Sequence, residues 1–318
     1  MLAPWCELES AEPLIEHLGV ESIAWWRKRY PGTVMQGSLV VAHGRDTGEL
    51  AQFAQRAAAS AARARDPAAR THDHATGGAP DAIHADWRPF EWVNGEGIAA
   101  LEPDLAGRFN KSLFFRDEGH LDPRAALGAL EQQLTTLGVP IRYGVAATPR
   151  RAGVVVDCTG LAARNTLTDL RGVKGEMLLL RSRDITLARP VRVLHPRIPL
   201  YIVPRGDGLF MVGATMIESD QPSRISARSM LELLSAAYAL HPAFGEAEIV
   251  EIGTGVRPAF PDNLPRIRQR DGVLYINGLY RHGFLAAPAL ARRAAEVVLQ
   301  NRHFPEVMDE DSRERRLA

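Results

Sequence analysis

Two glycine turns, each placed immediately after a short apolar strand, stand far apart in this chain and constrain its fold more than any other feature. One is Asp157-Cys-Thr-Gly160 after residues 154–156; the other is Tyr275-Ile-Asn-Gly278-Leu-Tyr-Arg281-His-Gly283 after residues 273–276, leading into a long Ala-rich helix at about 288–300. Strand, small-residue turn, then helix is how a parallel α/β sheet exposes backbone to a ligand at the carboxyl ends of its strands. Between the two turns the texture changes. From Gly172 onward, residues 175–180, 191–195, 200–203 and 209–212 alternate or run apolar, with Arg205-Gly-Asp-Gly208 as a hairpin turn. α/β elements at both ends with antiparallel strands inserted between them predict an α/β chain, α+β overall, in two interleaved domains.

The remaining pattern agrees. Residues 11–30 carry Leu14, Ile15, Leu18, Ile23, Trp25 and Trp26 at helical intervals and stop at Tyr30-Pro31-Gly32. Strands are expected at 37–41, 112–115, 139–143 and 249–256, and helices at 48–59, 98–105 and 226–240. Asp122-Pro123 caps a helix running to 137. Residues 61–86, rich in Ala, Arg, Asp, His and Gly without apolar periodicity, read as a mobile surface loop, and His72, His74 and His84 within it as solvated side chains rather than metal ligands.

Composition narrows the function. With 46% hydrophobic and 24% charged residues the chain of 318 is an ordinary globular one, and its 38 Lys plus Arg cancel its 38 Asp plus Glu. No general basic field is available for nucleic acid or an anionic membrane, so a small molecule is the expected partner. Cys6 and Cys158 form no disulfide framework or cysteine zinc site, which fits a reducing cytoplasm. Apolar stretches such as 283–291 are too short to span a bilayer. There is no G-x-S-x-G, H-E-x-x-H, G-x-x-x-x-G-K-[ST] or paired C-x-x-C, which removes most hydrolase and kinase readings.

What remains is Gly255-Val-Arg257-Pro258, a guanidinium just past a strand and suited to a bidentate grip on a carboxylate, and the glycine turn at 278–283, where backbone N–H groups and a helix N-terminus could meet a planar acceptor. Either alone is also compatible with a structural ion pair or an ordinary turn.

Taken in order, Met1-Leu-Ala-Pro, Glu102-Pro103, Asp117-Glu-Gly-His-Leu-Asp-Pro-Arg124, Asp157-Cys-Thr-Gly160, Val173-Lys-Gly-Glu176, Tyr201-Ile-Val-Pro-Arg205, Val212-Gly-Ala-Thr215, Gly255-Val-Arg-Pro258 and Asn277-Gly-Leu-Tyr-Arg-His-Gly-Phe-Leu285 resemble the D-amino-acid-oxidase-like flavoproteins, and within them the glycine oxidases of thiamine biosynthesis. The resemblance implies non-covalent FAD, a small amino-acid substrate and O2 as electron acceptor, and is compatible with a homo-oligomer. It places the substrate at Tyr201, Arg257 and Arg281, with Met1 and Glu7 bordering the site. FAD is placed at Met1, Val145, Gly160, Leu279, Tyr280, Arg281, His282, Gly283, Phe284 and Leu285. It further implies a doubly wound flavin-binding domain (1–10, 120–174, 248–304) interleaved with an antiparallel substrate domain (11–119, 175–247) and a tail (305–318).

Two departures accompany it. Where a relative in this family has a histidine two residues before the strand tyrosine, this chain has Pro199, with His195 in a different register. Such proteins also open with a βαβ unit carrying G-x-G-x-x-G, which this sequence lacks, so an N-terminally incomplete fold with little bound flavin is expected. The alternatives within the chemistry are D-amino-acid dehydrogenases and sarcosine oxidases; outside it, a non-catalytic protein binding a carboxylate or a partner.

Overall fold

The computed structural model describes residues 1–6, 13–63, 88–145, 153–194 and 200–308. A large sheet contains, in spatial order, β10 (Glu248–Ala259), β5 (Arg171–Arg181), β8 (Leu209–Gly213), β7 (Leu200–Pro204), β6 (Val191–Leu194), β1 (Ser38–Ala42), β3 (Lys111–Phe115) and β2 (Glu91–Asn94), with β9 (Ile217–Glu218) also on β5. Only β1 and β6 run parallel within it. A smaller sheet holds β11 (Arg266–Arg270), β12 (Val273–Asn277) and β4 (Val155–Asp157), the last two parallel.

Alternation gives the large sheet its two faces. Leu178, Leu180, Leu200, Ile202, Phe210 and Val212 form one core with Leu233 and Ala237 of α5 (Ala227–Leu240) and Ile98 of α3 (Gly95–Leu101). The intervening positions therefore lie on the other face. Register aligns Met177 with Gly213 and Gly213 with Tyr201, so that face carries a row of adaptable or small side chains around one tyrosine.

On the smaller sheet, α1 (Pro13–Arg29) packs against α6 (Gly283–Gln300), joining Leu18 to Ile267, Leu274, Ala286 and Leu290. Gly19 is required there, because a Cβ at that position would come within 2.9 Å of both Leu285 and Pro4. Asp122 caps α4 (Pro123–Thr136) as expected, its Oδ1 accepting the N–H of Ala125 at 2.8 Å.

Six expectations change. α1, placed by sequence with the substrate segments, has its apolar stripe on α6 and the smaller sheet. β10, placed with the flavin segments, is an edge strand of the large sheet, in register with β5 from Ala259↔Arg171 to Glu248↔Arg181. Residues 139–143 form no strand: Val139, Ile141 and Tyr143 are exposed, and no described strand lies alongside to complete their ladder. Residues 305–308 are not a free tail, since Val307 is buried and its carbonyl accepts the N–H of Ile267 at 2.8 Å. Finally, α2 (Thr47–Arg63) extends through 61–63 of the expected loop; 64–86 lie outside the described residues, as do Glu7, His72, His74, His84, His195 and Pro199.

α6 also starts a full turn before the position expected from Pro288, which sits inside the helix. Proline has no N–H to give the carbonyl four residues back. That carbonyl, of Phe284, instead accepts the indole Nε1–H of Trp26 at 2.7 Å, while the N–H of Ala289 donates to Ser22 Oγ at 3.1 Å.

Candidate active site

The two glycine turns are tied to each other. Asn277, buried at the end of β12, donates from Nδ2 to the carbonyl of Gly160 at 2.9 Å and accepts from the N–H of Gly278 at 2.8 Å. Gly160 and Gly278 both have left-handed backbones, φ 63° and 75°. A side chain at Gly278 would also strike Phe260, whose ring lies 2.2 Å from the position a Cβ would take. The next turn is held by the N–H of Tyr280 on the carbonyl of Pro258 at 3.0 Å.

From there the chain enters α6 with no side-chain cap at His282. Its first-turn N–H groups thus keep their donor capacity and the positive end of the helix dipole. Gly283 opens the helix with nothing within 4 Å of a Cβ position. The neighbouring side chains point inward: Leu285 is buried against Gly19, Phe284 stacks on Trp26 with centroids 5.7 Å apart, Leu279 joins the α1/α6 core, and His282 is buried. At Gly283 the segment presents its backbone, with open space where a side chain would stand. That suits the polar edge of a planar ring such as the isoalloxazine of FAD.

Two arginines stand beside it, Arg257 from β10 and Arg281 from the turn itself. Arg257, near the end of β10, lays its guanidinium over Gly175 of β5, so closely that a Cβ there would fall 2.1 Å from Nη2. Its Nη1 donates to the carbonyl of Thr215 at 3.2 Å. The next residue, Met216, takes Arg281 Nη1 and the Tyr280 hydroxyl on its sulfur at 3.1 and 3.2 Å. Arg281 in turn lies 5.9 Å from the centre of the Tyr201 ring. The segment after β8 thus brings Tyr201, Arg257, Tyr280 and Arg281 into one neighbourhood, with two fixed cations that favour an anionic ligand. Val145 stands apart, exposed at the end of a described stretch.

The N-terminal segment is held by a residue that sequence reasoning passed over. Leu2 pairs through its backbone with Gly119, and Glu118, fully buried, accepts the N–H groups of Trp5 and Cys6 at 2.8 Å each and the hydroxyl of Ser38. Burial pushes the Glu118 carboxyl up to about 7 despite those donors. Burial, then the Glu118 charge, raises the Cys6 thiol. Arg192, on the β6 position beside Tyr201, donates to the carbonyl of Cys6. His120 is driven down to about 4 by burial and by the positive charges of the Met1 amine and Arg205. The signal for this cluster was present in Asp117-Glu-Gly-His, but its partners lie far away in sequence.

Comparison with known proteins identifies the family. The family model for FAD dependent oxidoreductases matches residues 1–297. ThiO of Rhizobium etli, a protein named as a thiamine biosynthesis oxidoreductase, is 51% identical over 96% of this chain and 85% of its own length. The glycine oxidase of Bacillus licheniformis is 28% identical over 66% of this chain, which spans 63% of that relative's length. Among solved structures, glycine oxidase from Geobacillus kaustophilus superposes with a TM-score of 0.71 at 21% identity, covering 96% of this chain and 84% of that one. No helix among the described residues is long and apolar enough to cross a membrane.

Proposed function

The chain belongs to the family of FAD dependent oxidoreductases, and on that premise we propose that it is a glycine oxidase serving thiamine biosynthesis. The reaction is glycine with O2 and water to glyoxylate, ammonia and hydrogen peroxide. The observation that carries the reading is the 51% identity to ThiO across 96% of the chain. The cations beside Tyr201 are consistent with it, because a substrate as small as glycine offers little beyond its carboxylate for recognition.

FAD, when bound, takes up the two electrons released as the Cα–N bond of glycine is oxidised and passes them to O2. The protein's share is placement. Arg257 grips the carboxylate as a two-toothed fork over Gly175, and Arg281, resting on the Tyr201 ring, adds a second positive charge and closes the carboxylate end. The Tyr201 hydroxyl supplies a hydrogen bond. Backbone groups from Leu279 to Leu285, with the start of α6 at Gly283, would hold the polar edge of the isoalloxazine and favour negative charge there. Gly160, tied to Asn277, would line the FAD site together with Met1 and, further off, Val145. No side chain is assigned as a base.

The test is stoichiometric. Flavin-loaded protein given glycine in air is expected to release hydrogen peroxide and glyoxylate in equal amounts, with sarcosine and D-alanine as slower substrates. Glycine that bleaches the flavin without oxygen, yet yields no peroxide when air is admitted, would make it a dehydrogenase. Glycine that leaves the flavin unreduced would overturn the proposal.

A further inference from the structure

Beneath Arg257, on the opposite face of β5, lies a closed polar assembly whose purpose the reaction does not explain. The triplet Lys174-Gly175-Glu176 alternates across the sheet, so that Gly175 faces Arg257 while Lys174 and Glu176 point toward α5. Both are buried and form an ion pair at 2.7 Å. Lys174 Nζ also donates to Ser223 Oγ at 3.0 Å and the carbonyl of Arg224 at 2.8 Å. Glu176 Oε1 accepts the N–H of Ser226 at 3.3 Å, just ahead of α5.

One member of the assembly reaches the substrate side. Thr215 is joined to Glu176 by three hydrogen bonds: its N–H to the Glu176 carbonyl at 3.1 Å, its hydroxyl to Oε2 at 3.2 Å, and the Glu176 N–H back to that hydroxyl at 2.9 Å. The carbonyl of this pinned residue is the one that accepts Arg257 Nη1. An arginine side chain otherwise has many rotamers, and a carboxylate fork works only in one plane. Lys174 already balances the charge of Glu176, so the carboxylate acts on Arg257 through geometry and does not neutralise it.

We propose that Glu176 and Thr215 are positioning residues that fix the plane of the Arg257 guanidinium and so set the affinity of the site for a substrate carboxylate. This rests on the reading of Arg257 as the carboxylate clamp. Burial works against the Glu176 charge, but the donors from Lys174, Ser229 and Thr215 outweigh it and hold the carboxyl below its usual range, which keeps the Thr215 hydroxyl in the donor role.

The test uses flavin-loaded protein, the KM and kcat for glycine, and the Kd of glycolate, a carboxylate with a hydroxyl in place of the amine, read from the flavin spectrum. Thr215→Val removes the hydroxyl and keeps the carbonyl. It is expected to raise both the KM and the glycolate Kd by about five- to tenfold, the equivalent of one hydrogen bond, with kcat within about twofold. Thr215→Ser restores both constants, and Glu176→Gln moves them in the direction of Thr215→Val. Added to Arg257→Ala, Thr215→Val changes the Kd no further, because the group it positions is gone. A wild-type Kd in Thr215→Val beside a raised one in Arg257→Ala overturns the positioning role and leaves the clamp intact. A wild-type Kd in Arg257→Ala overturns the clamp and this proposal with it. Equal losses in kcat and affinity, unrescued by serine, mark a purely structural role and also overturn it.

Discussion

The side-chain amide of Asn277 donates to the carbonyl of Gly160 across 117 residues of sequence, and so locks the two glycine turns of the smaller sheet into one surface. Asn277→Ala takes the partner from the buried N–H of Gly278 and from the part-buried carbonyl of Gly160. We expect a loss of about 2 kcal/mol in unfolding free energy, measured by urea titration, since one buried and one part-buried polar group lose their partners. FAD retention on a desalting column should fall with it. Unchanged stability and flavin content would show that the turns hold their shape independently.

Arg257→Lys keeps the charge but loses the planar fork, so the KM for glycine is expected to rise strongly while kcat changes less. Arg257→Ala is expected to lose about 2 to 5 kcal/mol of transition-state binding, as for one side of a desolvated charge pair. Steady-state kinetics close to wild type in either variant would remove Arg257 from the substrate site.

Strands and helices were legible wherever periodicity met a partner. The alternation in β5, β7 and β8 fixed which residues enter the core and, by parity, left Tyr201 and Gly175 on the other face. Alternation at 139–143 was just as visible, but a strand exists only where a neighbour completes its ladder. The stripe on α1 showed that one face is buried, not that its partner is α6. Arg257, Tyr201 and the turn at 278–283 stood out through residue type and order. Glu118 and Thr215 did not, because their contributions depend on contacts no local pattern records: the N–H groups of Trp5 and Cys6 for one, and a main-chain carbonyl under a guanidinium for the other.

Trp26→Phe tests how α6 tolerates Pro288. The substitution keeps an aromatic ring near Phe284 but leaves the Phe284 carbonyl without its donor, and the expected cost is about 1 to 3 kcal/mol by urea unfolding. Pro288→Ala, made in the Trp26→Phe background, restores an N–H four residues along and is expected to recover part of that loss. In the wild-type background, where the carbonyl is already bonded, the same change should give less. Equal effects of Pro288→Ala in both backgrounds would show that the indole bond does not compensate for the proline.

Glu118 and His120 give stability two opposing pH dependences. The Glu118 carboxyl is raised from 4.5 to about 7, so between those values the folded protein holds a proton that the unfolded chain has released, and stability falls as pH rises. His120 is lowered from 6.5 to about 4, so between those values the unfolded chain holds the extra proton and stability rises with pH. Over the shared window, pH 4.5 to 6.5, the two contributions nearly cancel. Removing either one exposes the other. Relative to wild type, His120→Gln is expected to lose stability more steeply as pH climbs from 4 to 6.5, and Glu118→Gln to gain it as pH climbs from 4.5 to 7. Each slope difference is bounded by one proton, about 1.4 kcal/mol per pH unit. Urea unfolding of the three proteins at half-unit pH steps reads it directly. Parallel curves would mean that neither group titrates differently in the folded and unfolded states.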